Sequence, residues 1–199
     1  MPTDQLLNEI ERQKKYLADL PDDFMFPLFN TRRALESQRQ NGYRNTAVAA
    51  RELVDNAFEG GASKMHILFE AKRNNTRTVV STVAFIDNGS GMLPKMARFA
   101  LSWGGGTHFD DPHFIGKFGF GLPNASINQT KLVEIYTRTS QRDPITKAWL
   151  NLDDYGDYTQ QSIPEPMTGD LPDFVKRYMK KEGLDWAVPR VASKRTRPG

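Results

Sequence analysis

The sequence predicts an α+β fold, a two-layer α/β sandwich with a mostly antiparallel, mixed sheet. Three observations predict it: a helical stripe over residues 46–58, two β-rich segments joined by a polar turn, and two further β-rich segments over 132–152. The chain has 199 residues, of which 38% are hydrophobic and 26% charged. A chain of this size removes roughly 70% of its unfolded surface from water, so one globular domain is expected.

Composition excludes several classes of protein. The sequence has no cysteine, which excludes disulfides, thiolate zinc sites and a cysteine nucleophile. It lacks both the ~20 apolar residues of a membrane span and the apolar run of a secretory signal. A cytoplasmic protein without a membrane partner is therefore expected. The net charge of +3 is too small to predict a nucleic-acid surface by itself.

Residues 1–40 are predicted to form an N-terminal helical arm, and residues 41–199 the main domain. Leu6, Leu7, Ile10 and Leu17 have the spacing of one helix face that ends before Pro21. An apolar strip follows at residues 24–29. An ordinary packed helix and a strap exchanged between two subunits both fit this arm.

The helix predicted from Thr46 to about Phe58 has an apolar stripe and a polar face. Gly60 and Gly61 supply its stop. The polar face carries Glu52, Asn56 and Glu59, three or four residues apart. The apolar stripe consists of Ala49, Ala50, Leu53, Val54 and Ala57.

The remaining elements follow in order along the chain. Strands are predicted over 64–71 and 79–86, joined by the polar turn at 73–75, and again over 132–139 and 147–152. Short helices are predicted over 94–101 and 122–128, separated by a glycine-rich loop over 104–118.

Glu52 and Asn56 place a carboxylate and an amide one helical turn apart. A carboxylate there could orient and deprotonate a water in line with a terminal phosphate. The amide oxygen of Asn56 suits Mg²⁺, which prefers oxygen ligands and completes its octahedron with waters and substrate phosphates. Alone, the pattern is also typical of an exposed helix face. Together with the two segments described next, the pattern predicts Glu52 as the catalytic base and Asn56 as a ligand of Mg²⁺.

Asp87 directly follows an apolar strand, in the segment Asp-Asn-Gly-Ser-Gly. Gly89 and Gly91 allow a positive φ and the close approach of a flat ring to the backbone. The carboxylate can then accept a hydrogen bond from an amino group on such a ring. Standing alone, this composition is that of a common turn.

A third glycine-rich segment runs straight into the helix predicted over 122–128. Its backbone N–H groups and the positive helix end can meet phosphate oxygens, and its lysine adds a charge. It is not a Walker loop, because no Ser or Thr follows the Gly-Lys pair. Its residues are Gly116, Lys117, Phe118, Gly119, Phe120 and Gly121.

Residues 52–57, 87–92 and 116–121 resemble, in order and with similar separations, the three motifs of the GHKL superfamily of ATPases (gyrase, heat-shock chaperone, histidine kinase, MutL). The resemblance spans about residues 45–140. It implies a Bergerat-type fold, ATP and Mg²⁺ as cofactors, and contacts to the nucleotide from all three segments, including Met92 of the second.

The same resemblance implies an ATP lid over residues 102–115. Thr107 keeps the hydroxyl that the family often has there, but the lysine that often follows it is replaced by His108. His108, His113, Asp110 and Asp111 favour a solvated acidic loop over a metal site.

Family members fix the adenine with a Gly-Thr pair on a later strand, for which Thr137 is the candidate substitute here. The chain ends close to where such a strand would begin, so a fragment lacking part of the site and any C-terminal transducer or effector domain is expected.

Three functions remain open. The first is an ATPase whose nucleotide state closes the lid and drives homodimerisation, as in the MutL, MORC and chaperone branches. The second is a protein kinase of the histidine-kinase type, although those relatives usually place Asn where Glu52 stands. The third is a nucleotide-gated module that binds DNA or protein without useful turnover, to which the basic residues 194–197 could contribute.

Overall fold

The computed structural model describes residues 30–74, 77–103, 121–156 and 162–184, parts of 11–19, and the backbone of 189–190. The chain divides into two compact units, Met1–Asn30 and Thr31–Gly199. In the first unit, the described residues between 11 and 18 are helical. Among all described residues, no helix has both the length and the apolar character needed to cross a bilayer.

In the second unit, helices and strands follow one another mostly in pairs. Its α-helices are α1 (Thr31–Gln40), α2 (Thr46–Glu59), α3 (Pro94–Phe99), α4 (Gly121–Gln129) and α5 (Asp173–Lys181). Its strands are β1 (Met65–Asn74), β2 (Arg77–Asp87), β3 (Leu132–Thr137), β4 (Thr146–Asn151), β5 (Met167–Thr168) and β6 (Pro189–Arg190). A 3₁₀ helix, Leu152–Asp154, follows β4.

The strands form two three-stranded sheets, with the orders β1-β2-β6 and β3-β4-β5. Every strand pair is antiparallel within the described residues. β6 contacts both β2 and β3, so the two sheets lie side by side. The predicted α+β fold with a mostly antiparallel sheet is therefore confirmed.

Helix α2 begins and ends where the sequence predicts. The side chain of Asn45 accepts a hydrogen bond from the Val48 N–H at 3.0 Å, which satisfies one of the free donors at the helix start. At the other end, Gly61 has a φ of 79°, a conformation that favours glycine. The Thr46 hydroxyl donates to Gln129 Oε1 at 2.7 Å and so ties α2 to the end of α4.

Two apolar clusters hold the helices on the sheets. The larger joins α1, α3 and α4 to β3 and β4 through buried residues that include Leu35, Leu101, Ile127, Val133 and Leu150. The smaller packs α5 against β2 and β3 through Ala84, Ile86, Tyr136, Leu171 and Val175. The smaller cluster includes Ile86 and Tyr136, which directly precede Asp87 and Thr137 at the ends of β2 and β3.

The predicted strands and helices between residues 46 and 152 are all present, with ends within about two residues for most of them. Within the described residues, five elements lie outside those predictions, namely α1, α5, β5, β6 and the 3₁₀ helix. Helix α1 falls in the stretch predicted as part of the N-terminal arm.

Candidate functional site

The first and third motifs meet at the start of α4. A Cβ atom built on Gly121 would lie 2.9 Å from Glu52 Oε2, closer than real Cβ contacts allow. The carboxylate of Glu52 therefore rests against the first residue of α4. A helix start carries free N–H donors and a partial positive charge, so it favours anions. The sequence-predicted base and the glycine that ends the third motif are thus neighbours.

Asp87 is fully buried at the end of β2, with 0% of its surface exposed. Its Oδ1 accepts a hydrogen bond from the Gly89 N–H at 2.9 Å, which turns the chain sharply after the strand. Gly91 then has a φ of 72°, as the sequence predicted for this turn. Burial and the turn hold the carboxylate in one orientation.

The loop after Asp87 is fastened to the end of α2. The Ser90 N–H donates to the Gly60 carbonyl at 2.9 Å, and the Gly60 N–H donates to the Asn56 carbonyl at 3.0 Å. Gly89 lies so close to this turn that a Cβ there would be 2.8 Å from the Gly60 carbonyl oxygen. The backbone at Asn56 is therefore connected to the second motif by two successive hydrogen bonds.

Asn88 adds a second connection between the same two segments. Its Oδ1 accepts from the backbone N–H groups of Ser63 at 2.9 Å and Lys64 at 2.8 Å. Its Nδ2 donates to the Ser63 hydroxyl at 2.9 Å. Since this side chain is used within the protein, Asn88 supports the site rather than facing a ligand. This role was not predicted from the sequence. Asn side chains often form hydrogen bonds with nearby backbone groups, so the residue type was the available signal.

Thr137 joins β3 to the second motif. It is fully buried, with 0% exposure, and its Oγ1 accepts a hydrogen bond from the Met92 N–H at 2.9 Å. The hydroxyl proton is left to donate elsewhere, because a hydroxyl carries one donor besides its acceptor lone pairs. The structure thus brings Thr137 and Met92 together at the end of β2 and β3.

Glu52 and Asn56 are half-buried, whereas Glu59 on the same helix is exposed. The polar face of α2 is therefore divided: Glu52 and Asn56 are partly covered by protein, whereas Glu59 faces water. This division separates the two residues predicted to function from a third with the same sequence spacing.

Two residues near the site were not identified from the sequence. Burial is the larger cause of the raised pKa of Tyr43, and the negative charge of Glu52 is the second. The phenol therefore lies within electrostatic range of that carboxylate. The Trp103 indole N–H donates to Asn124 Oδ1 at 2.6 Å, joining the residue before the glycine-rich loop to α4 beyond it. No periodicity or spacing in the sequence pairs residues so far apart.

Six predicted site residues lie outside the described part of the chain: Thr107, Gly116, Lys117, Phe118, Gly119 and Phe120. The predicted lid beyond Trp103 and the residues of the alternative histidine and aspartate site lie there as well. Among the described residues, no group of three or more His, Asp or Glu side chains could hold a metal ion.

A buried carboxylate at a strand end, a glycine turn beside it and a second carboxylate against the start of α4 form an arrangement suited to binding a nucleotide. The profile of the histidine kinase-, DNA gyrase B- and HSP90-like ATPases matches residues 43–176, more than half of the chain. The chain belongs to this family, and its domain is an ATP-binding domain of the GHKL type. No curated protein sequence matches the chain.

Proposed function

We propose that this domain binds ATP with Mg²⁺, hydrolyses it, and uses the nucleotide state as a conformational and dimerisation switch. The observation that supports hydrolysis most directly is the contact between Glu52 and Gly121. It places a carboxylate beside a helix start, where the phosphates of a nucleotide would be favoured.

In this proposal Glu52 orients the attacking water and accepts its proton. Phosphoryl transfer to water depends mainly on positioning and on charge stabilisation, so a carboxylate held against α4 is the useful feature. Tyr43 lies within the electrostatic reach of the same carboxylate. It helps to define the pocket in which Glu52 acts.

Asn56 is the residue proposed to hold Mg²⁺, which when bound neutralises phosphate charge. The residues fit this ion, because Asn56 offers an amide oxygen one turn from Glu52 and is half-buried like it. Mg²⁺ needs few protein ligands, since waters and phosphates supply the rest.

The adenine is proposed to lie against the second motif. Asp87 accepts the amino hydrogen, Thr137 donates its remaining proton, and Met92 covers the ring. Gly89 and Gly91 let the ring approach the backbone.

A hydrogen bond to a charged acceptor is worth ~1.5–3 kcal/mol, so Asp87→Ala should weaken ATP binding by about ten- to a hundredfold. Asp87→Asn keeps an acceptor for the Gly89 N–H, so the turn should still fold. A loss of ATP affinity in this variant would therefore be due to the missing negative charge.

The third motif is proposed to bind the phosphates through Gly116, Phe118, Gly119, Phe120 and Gly121. Lys117 adds a positive charge there, and Thr107 belongs to the lid that closes over them. We further propose that the protein is cytoplasmic and dimerises with a second copy of the chain. Its effector is a C-terminal domain or a separate protein. DNA binding is not included, because the net charge is only +3.

Two variants on one helix test hydrolysis. Glu52→Gln should retain ATP affinity and lose phosphate release, whereas Glu59→Gln, which changes an exposed carboxylate of α2, should behave as wild type. If wild type binds ATP and releases no phosphate even when concentrated, the chain is instead a nucleotide-gated binding module. Transfer of the phosphate to a protein side chain would instead identify a kinase.

Size-exclusion chromatography with a non-hydrolysable ATP analogue and Mg²⁺ tests the switch. The proposal predicts an earlier elution volume with the analogue than without nucleotide. Identical elution at every protein concentration would contradict nucleotide-driven dimerisation while leaving ATP binding intact.

A further inference from the structure

A cavity of about 700 Å³ lies between α1, α3, β4 and the segment after the 3₁₀ helix. Its volume is within the range of roughly 300–1,000 Å³ that is usual for small-molecule sites. None of the residues proposed to contact ATP lines it, although Ser102 and Trp103 are the first two residues of the predicted lid.

The walls of this cavity are largely apolar. Leu35 of α1, Phe99 at the end of α3, Trp103, Leu150 of β4 and Ile163 line it together. Phe99 is 43% exposed, so part of its ring is open to a ligand in the cavity. An apolar body, of the size of one or two rings, would cover this surface.

Two cations of α3 also line the cavity, and one of them, Arg98, is already bonded to other groups of the protein. Arg98 donates from Nε to the Ile163 carbonyl at 2.7 Å and pairs with Glu165. Lys95 lies three residues earlier, on the same face of the helix, and forms no ion pair among the described residues. Lys95 is therefore the charge that remains for an anionic group.

Tyr155 contributes a polar group that the protein leaves unused. It is only 8% exposed, and its hydroxyl has no hydrogen-bond partner within the part of the chain that the structure describes. A buried hydroxyl without a partner is costly, so such groups usually bind a ligand or water. Burial, followed by the charge of Asp154, raises the pKa of Tyr155 despite the opposing charge of Arg98, so the hydroxyl stays protonated and able to donate.

The cavity is separate from the candidate nucleotide site. Thr137 pairs with Thr146 at one end of the β3-β4 ladder, whereas Leu150 pairs with Val133 towards the other end. Four residues of a strand span about 13 Å. The cavity is therefore displaced along the sheet from Thr137, the proposed adenine contact.

We propose that this cavity binds a small amphipathic organic anion, with an apolar ring-sized body against Phe99, Trp103 and Leu150 and a carboxylate near Lys95. The Tyr155 hydroxyl donates to a polar atom of the same molecule. This site would act independently of ATP binding by the proposed nucleotide site.

The test uses 2-naphthoate as the probe and its neutral counterpart 2-naphthamide for comparison. The indole N–H resonance of Trp103, assigned by its loss in Trp103→Phe, is followed in ¹⁵N spectra of the full chain during each titration. The proposal predicts a saturable shift with naphthoate that persists in the presence of excess ATP and Mg²⁺. Whether ATP binds is read separately, so failure of the proposed function would leave this test intact.

Three variants sharpen the result. Lys95→Gln should weaken naphthoate binding about three- to fivefold, as expected for loss of one exposed charge pair, and leave naphthamide binding unchanged. Ser162→Phe, which fills the cavity from its rim, should abolish both. Lys72→Gln, a matched change of an exposed lysine on β1, should alter neither. Equal naphthoate affinity in Lys95→Gln and wild type, displacement by ATP, or no saturable shift would overturn the proposal.

Discussion

Gly121→Ala is the substitution with the most specific structural consequence for the proposed chemistry. A methyl group there would be 2.9 Å from Glu52 Oε2, whereas ordinary van der Waals contacts begin at 3.4 Å. The carboxylate must therefore retreat by about half an ångström. It is the end of a flexible side chain, so it can do so without moving the backbone.

The expected cost falls on catalysis rather than on folding. A misplacement of about 1 Å in a reacting group can reduce a rate by roughly a hundredfold, so half that distance predicts a loss of about tenfold in kcat. Gly121 is not one of the described glycines with positive φ, and alanine has a helix propensity up to about 1 kcal/mol better than glycine. The free energy of unfolding should accordingly be unchanged or slightly higher.

The assay combines phosphate release at saturating ATP and Mg²⁺ with ATP affinity by calorimetry and stability by urea unfolding. Gly121→Ala should lower kcat while preserving most of the affinity. Gly89→Ala provides the contrast, because its methyl group would meet the backbone oxygen of Gly60 at 2.8 Å and should reduce stability.

A double variant shows whether the lost activity acts through Glu52. In a Glu52→Ala background, Gly121→Ala should cause no further loss, since the displaced carboxylate is already absent. Wild-type kcat in Gly121→Ala, or a full additional loss in the double variant, would refute the reasoning.

Three further predictions concern stability. Asn88→Ala frees two backbone amides and should lower the free energy of unfolding by about 1–3 kcal/mol, seen as a lower urea midpoint with an unchanged slope. Thr137→Val removes the acceptor for the Met92 N–H and should cost about 1–3 kcal/mol, while Thr137→Ser should recover most of the loss. Because burial raises the pKa of Tyr155 above its ordinary 10.0, the folded protein keeps this phenol neutral at a pH where the unfolded chain ionises it; urea midpoints of wild type should therefore fall more steeply above pH 10 than those of Tyr155→Phe.

Local patterns along the chain predicted most of the fold between residues 46 and 152. Helix α2 has both its stripe and its stop in consecutive sequence, and β1 and β2 are rich in β-branched and aromatic residues. Helix α1 was not predicted because its sequence is mostly polar, with Leu35 as its one buried residue. Its place depends on a tertiary contact that periodicity does not reveal.

The candidate site was predicted as a set of segments, but not as a set of contacts. Glycine and carboxylate spacing identified Glu52, Asp87 and Gly121 separately. Their arrangement depends on long-range hydrogen bonds, such as that from the Met92 N–H to Thr137, whose partners are 45 residues apart. Tyr43 could not be predicted as a neighbour of Glu52, because the two side chains come close only in the folded chain.

The nucleotide that remains bound after incubation with ATP and Mg²⁺ tests the central claim most directly. Wild type and Glu52→Gln are each incubated, separated from free nucleotide and analysed for ATP and ADP. The account predicts ADP on wild type and intact ATP on Glu52→Gln at comparable occupancy. ADP on both proteins, formed at the same rate, or no retained nucleotide on either would contradict it.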